Sequence, residues 1–124
     1  MAGFKSFEEI GAWQKARELT NEIYAATRVS SFARDYGLCS QIQRSSVSIM
    51  SNIAEGYERS GQKEFHHFLS IAKGSAGEVR CQLYIARDQG YLNAVESDKL
   101  MQMATEISRM IAGIMAHLRG TSGK

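Results

Sequence analysis

The chain has 124 residues, enough for one hydrophobic core and too few for two. Hydrophobic residues make up 44% and charged residues 23%, an ordinary globular balance. Lys+Arg 15 against Asp+Glu 13 gives a net charge of +2, well short of the cationic excess of a dedicated duplex-DNA binder. With zero prolines, only glycine and capping side chains are left to interrupt a helix. Two cysteines, Cys39 and Cys81, stand far apart among apolar helical neighbours and read as reduced core thiols rather than a disulfide. No apolar run approaches the roughly 20 residues of a membrane span. The start, Met1-Ala2-Gly3-Phe4-Lys5, carries no signal-peptide stretch. A cytoplasmic protein with no membrane association is the expectation.

The first amphipathic stretch opens at Ser6 and Glu9, which have capping-box spacing. Phe7, Ile10, Trp13, Leu19, Ile23 and Ala26 then share one helical side and predict a helix over about residues 7–28. Residues 30–35 show no period and read as a loop. The second stretch starts near Tyr36, where Leu38, Ile42, Ser46, Ile49, Ile53 and Gly56 follow a 4-4-3-4-3 pattern. It also holds Ser40, Ser45, Ser46, Ser48 and Ser51. Serine is a mediocre helix former, so packing must hold this segment. It runs out in a glycine-bracketed loop from Glu55 to Gly61, with Ser60 as the expected cap of the next helix.

The third stretch carries Phe65, Phe68, Leu69, Ala72, Ala76, Val79, Leu83 and Ala86 at helical spacing. Gly74 and Gly77 lie inside it and predict a surface where another backbone comes close. Gly90 is the expected left-handed cap, with Tyr91 and Leu92 packing back. The fourth stretch starts at a second capping box, Asn93 and Glu96, and runs along Leu100, Met103, Ile107, Met110, Ile114 and Leu118. Residues 120–124 are expected to be a flexible tail. Strand signals are absent. Four helices with short connections predict an all-α fold: one up-down-up-down antiparallel four-helix bundle over residues 1–124, its core at about 7–118.

The run from Tyr36 to Gly56, above all Ser51-Asn52-Ile53-Ala54-Glu55-Gly56, resembles the bacterial four-helix-bundle family of 23S rRNA intervening-sequence proteins. Trp13-Gln14-Lys15-Ala16, the segment from Glu64 to Ser75 and Gly90-Tyr91-Leu92 fit as well, so the resemblance spans about residues 7–118. Family members usually carry proline where this chain has Ala33 and Met50, and a second arginine where it has Gln43. The resemblance implies a ring-shaped homo-oligomer, commonly a pentamer. It also implies partnership with RNA or DNA, as in the related accessory proteins of diversity-generating retroelements, and with a polymerase-like protein. It transfers no catalytic residue.

Residue chemistry points away from an enzyme. There is no G-x-S-x-G elbow, Walker A or dinucleotide glycine pattern. His66 and His67 are adjacent and diverge by about 100° on a helix, so they are not a local metal pair. No catalytic residue, cofactor or metal is expected. Asn52, Glu55 and Ser75 read as paired polar groups at a helix or subunit interface, or else as ligand contacts. Arg34, Arg44, Arg59, Lys63, Lys73, Arg80 and Arg87 are the candidate nucleic-acid contacts. The alternative for each is a solvated helix face with an acidic partner, such as Glu55 with Arg59. Two functions stay open: a non-enzymatic oligomeric scaffold that binds nucleic acid, and a protein-interaction adaptor with no nucleic-acid role.

Overall fold

The computed structural model describes residues 3–122. Four α-helices account for most of them: α1 (Gly11–Ala26), α2 (Tyr36–Glu58), α3 (Gln62–Asp88) and α4 (Ala94–Ser122). No strand occurs among the described residues. Each helix packs on its two neighbours in the ring α1–α2–α3–α4, with α2 on α3 the most extensive seam and α1 on α4 the slightest. This is the expected antiparallel four-helix bundle. Its interior is a continuous apolar cluster that includes Leu19 and Ile23, Ile42 and Ile49, Phe65 and Leu69, and Ile107 and Ile111, all essentially without solvent contact.

The ends of the helices show where local chemistry departs from pattern. The predicted first helix over 7–28 is broken. Phe7–Glu9 form a 3-10 turn, Ile10 is extended (φ −72°, ψ 117°), and α1 begins only at Gly11. Ser6 makes no capping bond through its side chain, and the Glu9 carboxylate accepts from the amide of Lys5 (3.0 Å) instead of that of Ser6. The turn therefore closes early, and Ile10 leaves helical geometry to bury itself completely. The loop expected over 30–35 also contains a 3-10 turn, Ser30–Arg34, which drives Phe32 into the core.

Asp35 caps α2, its carboxylate accepting from the amide of Leu38 (3.0 Å). The helix then runs on through Glu55 and Gly56 to Glu58, into the segment expected to be a loop. Gly56 is buried because a Cβ there would lie 2.6 Å from Phe68 Cβ and 3.2 Å from Phe65 Cδ1. Its lack of a side chain serves helix packing, not a turn. Ser60 does not cap α3. Its backbone is left-handed (φ 69°), and Gly61 occupies the cap position without a side-chain bond.

Gly90 takes the left-handed conformation expected of it (φ 77°). The amide of Tyr91 bonds to Ala86 O (2.9 Å) and that of Gly90 to Arg87 O (3.0 Å), the pair of bonds that closes a Schellman cap. Tyr91 stacks on Phe32 at 5.2 Å and donates its hydroxyl proton to the Asp35 carboxylate (2.9 Å). The α3–α4 turn is thereby tied to the start of α2. The Asn93–Glu96 box is reciprocal: Glu96 N donates to Asn93 Oδ1 (2.8 Å) and Asn93 N to Glu96 Oε1 (3.1 Å). At the other end, α4 continues through Gly120 to Ser122, so the expected tail does not begin at residue 120. Gly123 and Lys124 lie outside the described residues, as do Met1 and Ala2. Within the described residues, no helix is long and apolar enough to cross a membrane.

Candidate functional site

In the serine-rich stretch of α2, the hydroxyls of Ser45, Ser46 and Ser48 are engaged and those of Ser40 and Ser51 face solvent. Ser46 bonds back to Gln43 O (2.9 Å) inside the helix. Ser45 and Ser48 instead turn to α3. Asn52 Nδ2 donates to both Ser48 O (2.8 Å) and Ser48 Oγ (2.9 Å). That leaves the Ser48 hydroxyl its own proton for the 2.8 Å hydrogen bond it shares with Ser75 of α3. One turn along, Gln82 Nε2 of α3 donates to Ser45 Oγ (3.1 Å). The flank of the α2–α3 seam is therefore a ladder of hydroxyls and carboxamides, where the interior beneath it is apolar.

The ladder borders an open groove of about 340 Å³ lined by Gln41, Arg44, Ser45, Ser48, Glu78 and Gln82. Gln82 is 8% exposed, and its Oε1 is the buried side-chain oxygen that has no hydrogen-bond partner among the described residues. A buried polar atom left so costs on the order of 1–3 kcal/mol. Arg44 and Glu78 stand at the groove with no ion pair to each other or to another described residue.

The candidate cations fall into distinct settings. Lys73, Arg80 and Arg87 are spaced by sevens on α3 and, with Gly77 and Tyr84 between them, share one exposed face. Tyr84 is 55% exposed. Arg87 is held by Asp98 of α4 at 3.7 Å, whereas Lys73 and Arg80 have no acidic partner among the described residues. Arg59 is occupied by Glu55 (2.8 Å) and Glu64 (3.3 Å) and lies over the Phe68 ring at 4.9 Å. The hydrogen bond its guanidinium donates to Glu55 is the chief reason its pKa is raised. Arg34 sits in the 3-10 turn before α2 and Lys63 in the first turn of α3, both exposed. The structure thus gathers Lys73, Arg80 and Arg87 on one face of α3, has Lys63 at the start of the same helix, and leaves Arg34 and Arg59 elsewhere, with Arg44 at the groove.

Of the three candidate polar groups, Asn52 and Ser75 meet through Ser48, and Glu55 faces solvent with Arg59. Sequence reasoning missed Gln41, Ser45, Ser48, Glu78, Gln82 and Tyr84 as site residues. The signal for the α2 group was present: Gln41, Ser45, Ser48 and Asn52 recur at 4-3-4, a polar stripe beside the apolar one. Two other readings need correction. Gly74 and Gly77 mark no close backbone approach within the bundle, because a Cβ at either would meet nothing within 4 Å. The close approach is made by their buried neighbours Ser75 and Ala76. Cys81 is not a core thiol but lies exposed on α3. Cys39 is buried, its thiol bonded to Phe32 O (3.0 Å) and its pKa raised by desolvation and then by Asp35.

His66 Nε2 lies 3.0 Å from an Arg119 guanidinium nitrogen, so that ring nitrogen is engaged by a cation. His67 rests edge-on against Phe68 at 5.4 Å. Among the described residues, no group of three or more His, Cys, Asp or Glu side chains is placed to hold a metal ion. At Gln43, Nε2 donates to Thr27 Oγ1 (2.9 Å) and ties α2 to the end of α1.

An all-α four-helix bundle, with a hydroxyl and carboxamide ladder along its α2–α3 seam, is the class of protein this fold defines. The sequence matches the 23S rRNA-intervening sequence proteins over residues 8–113, and the chain belongs to that family. Its fold is similar to the crystal structure of a protein of unknown function from the S23 ribosomal protein family of Bacteroides thetaiotaomicron. The two chains are 23% identical, with a TM-score of 0.77, and the match covers 84% of this chain and 97% of that one. No curated protein matches.

Proposed function

We propose that the chain is a non-enzymatic, cytoplasmic accessory protein that assembles into a homo-oligomer, a ring-shaped pentamer, and binds RNA or another nucleic acid. The observation that carries this reading is the outer face of α3. Lys73 and Arg80 point from one face without acidic partners, and Tyr84 stands exposed between Arg80 and Arg87. Cations spaced along a surface engage phosphates, and an exposed aromatic ring offers a stacking platform for unpaired bases. One such face on a chain of net charge +2 is a weak site. Repetition around a ring multiplies it, because each further contact is made at high effective concentration.

Support for assembly comes from the same helix pair. Val47 of α2 and Ile71 and Ile85 of α3 are each more than a third exposed, outside the buried core. Those residues also favour the second reading, an adaptor whose partner is a protein, for example a polymerase-like one. Light scattering tests the assembly, and a clean monomer at micromolar concentration contradicts it. Titrating binding of a labelled single-stranded RNA against salt tests the partner. Phosphate contacts require log affinity to fall linearly with log salt, by about 0.7 per contact. Recovery of the same protein partner from lysate with and without nuclease, together with no RNA affinity, favours the adaptor.

A further inference from the structure

We infer that the outer face of α3 binds a second copy of this chain, the two α3 helices lying antiparallel with Ile85 of each seated on Gly74 of the other. The inference rests on the assembly proposed above and names one of its contacts. The buried side of α3 follows helical spacing from Phe65 to Ala86. A second stripe, Ile71, Gly74, Glu78, Cys81 and Ile85, recurs at 3-4-3-4 on the solvent side, and all five residues are exposed. That is the spacing with which one helix packs along another. Ile71 is 39% and Ile85 43% exposed. A Cβ at Gly74 or Gly77 meets nothing within 4 Å, so packing inside the protomer requires neither glycine.

The stripe is small near one end and bulky at the other. Ile85 stands about 16 Å along the helix from Gly74. A two-fold axis passing between Val79 and Arg80 reverses the helix and brings each Ile85 level with the other copy's Gly74, beside its Ile71. One helix thus supplies both knob and hole, and the contact is made twice. The charges agree with this register. Arg44 and Glu78 line one groove and form no ion pair with each other or with another described residue. The Ser48–Ser75 and Ser45–Gln82 bonds set α2 against α3 so that Arg44 is about level with Cys81. The two-fold axis puts Glu78 of the second copy at that same level. Each Arg44 then faces the other copy's Glu78. An antiparallel pair also brings like edges together, so Lys73 and Arg80 of both copies lie along one side of the seam, joining two cationic faces. A ring closes through unlike faces, so this two-fold contact is additional to it.

Cys81 supplies the test. It lies close to the axis, so the two thiols of a pair are about 5 Å apart along the helices, and Cys39 is buried away from them. Mild oxidation of the intact protein is expected to give a covalent dimer on a non-reducing gel. Cys81→Ser abolishes that dimer and Cys39→Ser leaves it. Gly74→Leu fills the hole and is expected to weaken self-association in sedimentation at least about tenfold. Arg44→Glu and Glu78→Arg each set like charges across the contact and weaken it too. Mixing those two variants restores pairing, because every facing charge is then opposite in sign.

Should Gly74→Leu fail to fold by circular dichroism, the charge variants decide, since a folding defect is not rescued by mixing. Absence of the covalent dimer while the Cys81 thiol still reacts with a maleimide overturns the contact. So does a Gly74→Leu chain that pairs as tightly as wild type, or a mixture no better associated than either charge variant alone. A mass of five chains without the Cys81 dimer keeps the ring and overturns the pairing, whereas a monomer overturns both. The nucleic-acid reading is decided separately, by the salt titration.

Discussion

The α1–α4 seam and the α2–α3 seam close the same bundle with different chemistry. Between α1 and α4, Met103, Met110 and Ile114 pack partly buried beside the core, and the polar ties lie outside it, as in Lys15–Glu106 (3.4 Å) and Lys99–Glu22 (3.3 Å). Between α2 and α3, serine hydroxyls and carboxamides run down the flank and are joined across the seam. Exposed ion pairs contribute about 0–1 kcal/mol each, so the first seam rests on apolar burial. The second has more buried contact in total and can carry polar groups at its edge, provided each finds a partner. Gln82 Oε1 is the atom for which the bundle supplies none. That difference is a reason to propose α2 and α3 as the working surface.

Deep in the core the two sides should be equivalent. Phe65→Ala on α3 is expected to cost about 3–5 kcal/mol and Ile111→Ala on α4 about 2–5 kcal/mol in denaturant unfolding. A much smaller loss on either side would show that its interior is not close-packed. Gly56→Ala probes the tightest approach of α2 to α3. Its new Cβ collides with Phe68 and Phe65, so about 1–3 kcal/mol should be lost and the midpoint of chemical denaturation lowered.

The hydroxyl ladder comes next. Ser48→Ala strips Ser75 and one Asn52 contact of their partner and is expected to cost about 1–2 kcal/mol. A double-mutant cycle with Ser75→Ala should return a coupling of at least about 0.5 kcal/mol. The corresponding cycle on Lys15 and Glu106 should return less than that. Equal couplings would erase the contrast between the seams. Gly74→Ala and Gly77→Ala should each stabilise the isolated protomer by about 0.5–1 kcal/mol, since nothing meets the added methyl groups. If they weaken assembly at the same time, that face lies between copies.

The smallest effect is expected at alkaline pH. The Cys39 thiol pKa is raised by burial and the Tyr91 phenol pKa by its bond to Asp35. Both groups hold their proton more tightly folded than unfolded. Their contribution is complete below the ordinary values of about 8.5 and about 10 and declines as pH rises through the folded ones. Melting temperature should therefore fall above about pH 9, and Tyr91→Phe should flatten the upper part of that decline. An unchanged profile in Tyr91→Phe would remove the Asp35 bond from the account.

The fold was legible because four apolar stripes recur at helical spacing with clear punctuation, and the Gly90 and Asn93–Glu96 signals act locally. What escaped depended on partners distant in sequence. Ser6 and Glu9 have capping spacing, yet Lys5 competes for the carboxylate. Gly56 looked like a turn residue until Phe68 was placed against it. Gly74 and Gly77 looked like a contact because their buried neighbours are small too. The groove was half visible, as a polar stripe on α2. Its other half, Glu78 and Gln82, is ordinary in sequence and acquires meaning only when α3 lies alongside.

The most direct measurement is the affinity of a single-stranded RNA across a salt series, for wild type, for Lys73→Ala/Arg80→Ala and for Lys15→Ala/Lys99→Ala. The account predicts a steep linear decline in wild type. Losing the two α3 cations should weaken binding and reduce the slope by about 0.7 for each phosphate contact removed, while the α1–α4 variant follows wild type. Affinity that ignores salt, or falls equally in the two variants, contradicts the assignment of the working face to α2 and α3.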